Sequence, residues 1–487
     1  MHQLHRPLLE MIDKKMVERI IDEAYTILEK VGVLVENEDA RKLLRAAGVK
    51  IDDSNLTAFI PRGLAEKCVA TAPDSISIFD REEELILQLE ENNIHFNPGS
   101  AALTILDWET QAQRKPVTAD LLNFSRLTHS LQNIAAQSTG LIPSDVPEEI
   151  ADRYRLYIAL QNSTKPVITG TFALDAFAAM KEMLITIRGD GEKLRHKPLA
   201  IFDCCPSPPL KWSNLTCQNL IDCARSGIPA ELVSMPLTGA TAPGTIAGAV
   251  VQHTAENLSG VIIHQLSHAG SPIIWGGSPA AFDMRHGTTP MGAIETMMID
   301  SAYARVGKYL GLPTHAYMSL SDAKLLDAQA GFETGMGAVI AALTGINVIS
   351  GPGMLDFESC QCLEKLVLDN EICGMALRLV KGVELRDSGF SEDLYGDIYN
   401  GEHFLTSAST IKWMREEFYF PSDVVDRDNY DIWKQNSGEA AGERAHRKVR
   451  EILEKDNPPL LSAEKQKNLL QIMLCDAKKY GMEKLPS

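Results

Sequence analysis

Between Met16 and Val31 the apolar side chains fall at Val17, Ile20, Ile21, Ala24, Ile27, Leu28 and Val31. This is the spacing of a helix with one buried stripe, and Gly32 supplies its end. A second helix over Ala40 to Ala47, a third over Leu64 to Ala72 and a short apolar run at Ile76 to Phe79 complete an N-terminal segment, residues 1–92, that reads as a helical cap or interface element. From Asn93 the pattern changes to short apolar runs ending in Gly, Ser, Thr or Asp, each followed by a longer helical stretch. Strands are predicted at Ile94 to Gly99, Ile134 to Gly140, Pro166 to Thr171, Leu199 to Cys205, Ala230 to Leu237, Pro272 to Gly277, Pro313 to Met318 and Asn347 to Gly353. Helices are predicted at Leu174 to Ile187, Ser213 to Arg225, Thr245 to Leu266, Met291 to Leu310, Asp322 to Leu343 and Cys360 to Val380. About eight βα units over residues 93–382 predict an α/β fold, a TIM (β/α)8 barrel that forms the catalytic domain. A doubly wound open sheet is the competing architecture, but no Gly-x-Gly-x-x-Gly follows the first strand.

Beyond Gly382 the βα units give way to Asp393, Tyr395, Asp397 and Tyr399, then to charged stretches around Asp426 to Arg447. Helical patterns return at Glu439 to Glu454 and Ser462 to Tyr480, so residues 383–487 are expected to pack as a helical extension on the barrel or on a neighbouring subunit.

Composition narrows the partners. The 487 residues carry 47 Lys+Arg against 65 Asp+Glu, a net charge of −18, and such a field repels phosphate backbones. Nucleic acid is therefore not an expected partner. Nine cysteines, an odd number in a chain large enough to bury its own core, suit a reducing cytoplasm. The first sixteen residues lack the apolar run of a secretory signal, and no stretch has the length of a membrane span.

In a barrel the working face is the carboxyl end of the strands, which directs attention to the residues there. Phe96, Trp275, His315 and Tyr317 stand at strand ends, with Gln137, Thr171, Phe172, Asp203, Cys204 and Cys205. Arg285 and His286, beside Gly287, form a loop suited to gripping a carboxylate, and equally suited to lying solvated on the surface. Gly351 and Gly353 could turn backbone N–H groups towards an anion, or simply serve the turn. Asp356, Phe357 and Glu333 add acid and an aromatic face, the ingredients of a pocket for an ammonium group. Asp322 and Glu358 read more simply as helix-capping acids. Cys204 and Cys205, with Cys360-x-Cys362, could make a zinc site, although neighbours on a strand point to opposite faces.

The segments Ser321-Asp322-Ala323-Lys324, Asp327-Ala328-Gln329-Ala330-Gly331, Glu333-Thr334-Gly335-Met336-Gly337 and Ser350-Gly351-Pro352-Gly353-Met354-Leu355-Asp356-Phe357 closely resemble the trimethylamine methyltransferase (MttB) superfamily. The likeness extends over most of the chain, through Asn97-Pro98-Gly99, Lys165-Pro166 and Leu363 to Gly374, and independently implies a TIM barrel. It implies transfer of a methyl group from a methylated amine to the cobalt of a separate corrinoid protein. All residues here are standard, so the chain resembles the non-pyrrolysine branch, with its demethylases of glycine betaine, proline betaine, carnitine and γ-butyrobetaine.

Glycine betaine is the first expectation. The trimethylammonium is expected against Phe96, Tyr317, Phe357 and the more distant Glu333, with Trp275, His315 and Asp356 nearby and the carboxylate on Arg285, His286 or the Gly351 and Gly353 amides. No corrinoid-binding Asp-x-His-x-x-Gly occurs in the sequence, so the methyl acceptor, cob(I)alamin or its protein-bound form, is expected on a partner. No cofactor or metal is expected in the chain itself, and the resemblance suggests a homo-oligomer. Two rivals remain at this point, a zinc-dependent betaine:thiol methyltransferase and a non-catalytic quaternary-amine binding protein.

Overall fold

The computed structural model describes residues 6–386, 395, 403–455 and 461–486. The predicted stretch around Asp393, Asp397 and Tyr399 lies outside them. Eight parallel strands form the barrel: β1 (His95–Asn97), β2 (Gln137–Ser138), β3 (Val167–Gly170), β4 (Ala200–Cys204), β5 (Ala230–Ser234), β6 (Ile273–Gly277), β7 (His315–Tyr317) and β8 (Val348–Ser350). One run of paired strands is β2-β3-β4-β5-β6 and another is β7-β8-β1. The ring closes through a parallel bridge from Trp275 to Thr314 and through the Ala135 N–H, which donates to Phe96 O at 2.7 Å. Each strand is followed by a helix: α1 (Thr118–Ser130), α2 (Ala151–Asn162), α3 (Ala176–Arg188), α4 (Asn214–Ser226), α5 (Ile246–Ser267), α6 (Ile294–Tyr309), α7 (Ala328–Thr344) and α8 (Leu363–Leu379).

The barrel interior is layered. At the amino end Ala136, Ile168, Ile201, Ile274 and Val348 point inward and pack on Ile76, Ile78, Leu87 and Leu89 of an antiparallel hairpin, Ile76–Phe79 with Leu85–Leu89. This apolar plug closes one end, so any site must open at the other. The next layer is polar. Asn97, Glu231, His315 and Ser350 are all buried there; His315 shares a hydrogen bond with Ser350 (2.9 Å), whose hydroxyl donates to Asn97 (2.8 Å). Gly276 admits the imidazole, since a Cβ at that position would stand 2.8 Å from His315 Nδ1.

The N-terminal helix Lys14–Lys30 starts on an Asp13 cap, which accepts from Met16 N at 2.8 Å, and buries Val17, Ile20, Ile21, Ala24 and Leu28. It lies against the long helix α5. At the other end of the chain, helix Ala441–Lys455 packs on α8 and α1, and helix Ala463–Lys479 packs on α3 and α2. Their buried faces, Ala445 and Val449, and Leu469, Met473 and Ala477, join the main core. No helix among the described residues is long and apolar enough to cross a membrane.

Candidate functional site

The carboxyl ends of the strands enclose a cavity of about 320 Å³, walled by Arg155 from α2, Phe172 after β3, Asp203 on β4, Tyr317 on β7 and the pair Phe357-Glu358 after β8. Alternation along the strands decides who faces it. On β4, Ile201 and Asp203 point in while Phe202 joins the outer core. On β7, His315 and Tyr317 point in and meet edge-on with ring centroids 4.8 Å apart.

Phe357 and Glu358 reach the cavity through an unusual turn. Asp356, Phe357 and Glu358 have φ of 51°, 56° and 69°, three consecutive non-glycine residues in the left-handed region. Such residues cost about 1–3 kcal/mol each and persist only where the surroundings hold them. Here Asp356 N donates to Ala323 O (2.9 Å), Gln113 Nε2 donates to the Asp356 carboxylate (3.1 Å), and the Lys324 ammonium sits 3.7 Å over the Phe357 ring.

The cavity is rich in buried acid. Burial, together with neighbouring Glu231, pushes the Asp203 carboxyl well above the usual carboxylate range, and burial together with Asp203 does the same to Glu358. Glu231, paired across from Asp203 in the β4–β5 register, is raised to about 8 by burial. Its Oε1 lies 3.0 Å from His315 Nδ1, without the alignment of a hydrogen bond. Burial also lowers His315 to about 4, so the imidazole is held neutral. A raised acid holds its proton in the folded state after the unfolded chain has released it. Glu231 therefore contributes stability that is fully present below its ordinary value of 4.5 and is lost as pH rises through about 8. Thermal melts of the ligand-free protein between about pH 5 and 8 should show a flatter slope for Glu231→Gln than for the parent; equal slopes would refute the assignment.

One wall of the cavity is braced from outside. Asp152 accepts from Phe172 N at 2.6 Å and from Arg153 Nε at 3.2 Å. Arg153, fully buried, also donates to Asp175 (3.0 Å), at the far end of the same β3–α3 loop, and to Asp476 (2.5 Å) on the helix Ala463–Lys479. One guanidinium thus ties the Phe172 loop to the end of the chain.

Of the substrate-binding residues expected from the sequence, Tyr317 and Phe357 line the cavity and His315 lies beneath it. The others lie elsewhere. Phe96 and Trp275 sit one position out of phase: Phe96 faces the outer core, and Trp275 packs on Gly307 of α6 with its indole donating to Tyr303 O (3.1 Å). Arg285 and His286 are exposed and are both bonded to Asp283, at 2.8 and 3.0 Å. Glu333 is a loop latch that accepts from Ser321 Oγ (2.6 Å) and Asp322 N (2.8 Å). Asp356 sits behind the Phe357 turn. Gly353 N is committed to Asp369 (2.7 Å), and a side chain on Gly351 would press on the Ser319 backbone at 2.9 Å, so these glycines serve packing rather than an open anion cradle.

Asp322 does cap, but across the fold: it accepts from Met291 and Gly292 N–H just before α6. Glu358, read as a cap, instead lines the cavity. Cys205 faces the cavity, whereas Cys204 turns outward to Asn219 (3.4 Å), and no group of three metal-ligating side chains occurs among the described residues. Sequence reasoning missed Arg155 altogether and passed over Glu231. Phe172 and Asp203 carried the right signal, their position at strand ends.

A profile of the family described as Trimethylamine methyltransferase (MTTB) matches residues 2–479. The chain is 29% identical over 479 residues to the glycine betaine methyltransferase of Desulfitobacterium hafniense strain Y51, covering 98% of this chain and 99% of that protein. It is 29% identical over 438 residues to the trimethylamine methyltransferase MttB of Methanosarcina thermophila, covering 88% and 89%. In three dimensions it resembles the monomethylamine methyltransferase of Methanosarcina barkeri (MtmB), with a TM-score of 0.51 at 11% identity over 91% of this chain and 89% of that one. The protein therefore belongs to the trimethylamine methyltransferase family and is a TIM-barrel methyltransferase.

Proposed function

We propose that this methyltransferase demethylates a quaternary amine, glycine betaine first among them, and delivers the methyl group to Co(I) of a separate corrinoid protein. The observation that carries the reading is the composition of the cavity: the rings of Phe172, Tyr317 and Phe357 and the carboxyls of Asp203 and Glu358 enclose one space at the catalytic face of the barrel. Aromatic faces and buried carboxyls are what a methylated ammonium group needs on leaving water.

A quaternary nitrogen is already activated, because the departing group is a neutral tertiary amine and no proton has to be supplied. The enzyme's task is then to aim one methyl at the open mouth and exclude water. Positive charge disappears from nitrogen as the methyl leaves, so a carboxylate against it favours the bound substrate over the transition state. Raised carboxyls that share protons with their neighbours soften that penalty. The zinc-and-thiol alternative loses its structural basis, since Cys204 and Cys205 diverge.

The test is anaerobic formation of methylcobalamin, followed spectrophotometrically with cob(I)alamin or a corrinoid protein. Glycine betaine, proline betaine, carnitine, γ-butyrobetaine and trimethylamine are run in parallel. Turnover with glycine betaine is expected. Tight binding of a quaternary amine without turnover on any corrinoid would turn the reading into that of a binding protein.

A further inference from the structure

The cavity holds groups of both signs that are not paired with each other. Arg155 is buried; its Nη1 donates to Thr139 O at 2.8 Å and its guanidinium stacks on the Phe172 ring at 4.4 Å. Its Nε is buried with no acceptor, and the carboxyl of Asp203, hydrogen-bonded to Glu231, lines the same cavity. A buried guanidinium and buried ionisable carboxyls that line one cavity suit a ligand that carries both charges.

Burial lowers the Arg155 guanidinium only to about 10, so it keeps its charge at neutral pH. It is also fixed in direction. The ring it stacks on belongs to the loop braced by Asp152, Arg153, Asp175 and Asp476. A planar guanidinium held this way suits a carboxylate, and among the described lining residues no second Lys or Arg stands by to match the greater negative charge of a phosphate.

We infer that Arg155, stacked on Phe172, is the carboxylate subsite of the cavity, so that the substrate is a zwitterion carrying a carboxylate besides its quaternary ammonium. The inference rests on the proposed reaction for its ammonium half and replaces the exposed Arg285 with a buried guanidinium for the other. A quaternary amine without a carboxylate offers the Arg155 guanidinium no acceptor.

Calorimetric titration of the full chain with glycine betaine and with tetramethylammonium tests this without the corrinoid partner. The parent should prefer glycine betaine. Arg155→Met should weaken glycine betaine about thirtyfold, the scale of losing one side of a buried charge pair, and leave tetramethylammonium within about twofold. Arg155→Lys should recover part of the loss. On the parent protein, acetate should compete with glycine betaine and leave tetramethylammonium binding unchanged, which decides the matter should the variants not fold. Equal affinity of the parent for the two amines, or an Arg155→Met protein that binds both as the parent does, would overturn the subsite. Absence of methyl transfer alongside the expected binding pattern would count against the proposed reaction and for the subsite.

Discussion

Replacing Lys365 by methionine is expected to destabilise the protein by about 3–5 kcal/mol, the cost of leaving a buried charge without its partner. The ammonium is fully buried on α8 and donates to Asp369 (2.5 Å) and to Thr334 of α7 (2.7 Å). Asp369 in turn accepts from Gly353 N, so the pair fixes the start of the segment that swings Phe357 and Glu358 into the cavity. Without Lys365, Asp369 either ionises alone in the core or takes up a proton and weakens its hold on Gly353. Denaturant unfolding of the parent, Lys365→Met and Lys365→Met/Asp369→Leu provides the check. The double variant should regain a good part of the loss, because two apolar side chains need no partner, but not all of it, because Gly353 N loses its acceptor. A single-variant cost below about 1 kcal/mol would show that the pair is dispensable.

Asp203→Asn is expected to raise the KM for a quaternary amine about a hundredfold while kcat stays within about threefold. The carboxyl faces the cavity between Glu231 and Glu358, and it is part of what raises Glu358. In the proposed reaction an entering ammonium favours ionisation of this raised carboxyl, and an amide cannot ionise; the attraction so lost fades as the methyl departs, so affinity should suffer more than the chemical step. A second signature follows from the same geometry. With Asp203 neutralised, Glu358 ionises at lower pH, so the acidic limb of kcat/KM against pH should move to lower pH. A fall in kcat at constant KM would show instead that Asp203 acts in the transition state.

The eight strands were legible because each is a short apolar run ending at a turn, and the structure trims each run only at its ends. Two of the eight helices were not. Helix α2 buries ten of its twelve residues, including Asp152, Arg153 and Arg155, so it has no polar face to give a 3.6-residue period. The part of the site it supplies was lost with it. Phe96 and Trp275 failed for a different reason. Strand ends fix which residues lie near the mouth, but a shift of one position exchanges inside for outside, and sequence alone does not set that phase. Glu231 stood in an apolar strand where only the fold reveals that its neighbours are Asp203 and His315. Arg285 looked like an anion ligand because nothing in the sequence shows that Asp283, two residues away, already holds it.

The brace through Arg153 also sets a clock. Asp476 lies 323 residues further along the chain, so during synthesis at about 5–20 residues per second the Phe172 loop waits roughly 15–65 s for its last support. The ring has a similar wait, since β1 cannot pair with β8 until the eighth strand has been made. The first half of the barrel is therefore made while Arg153 has Asp152 and Asp175 but not yet Asp476, and the cavity is among the last features of the molecule to be finished.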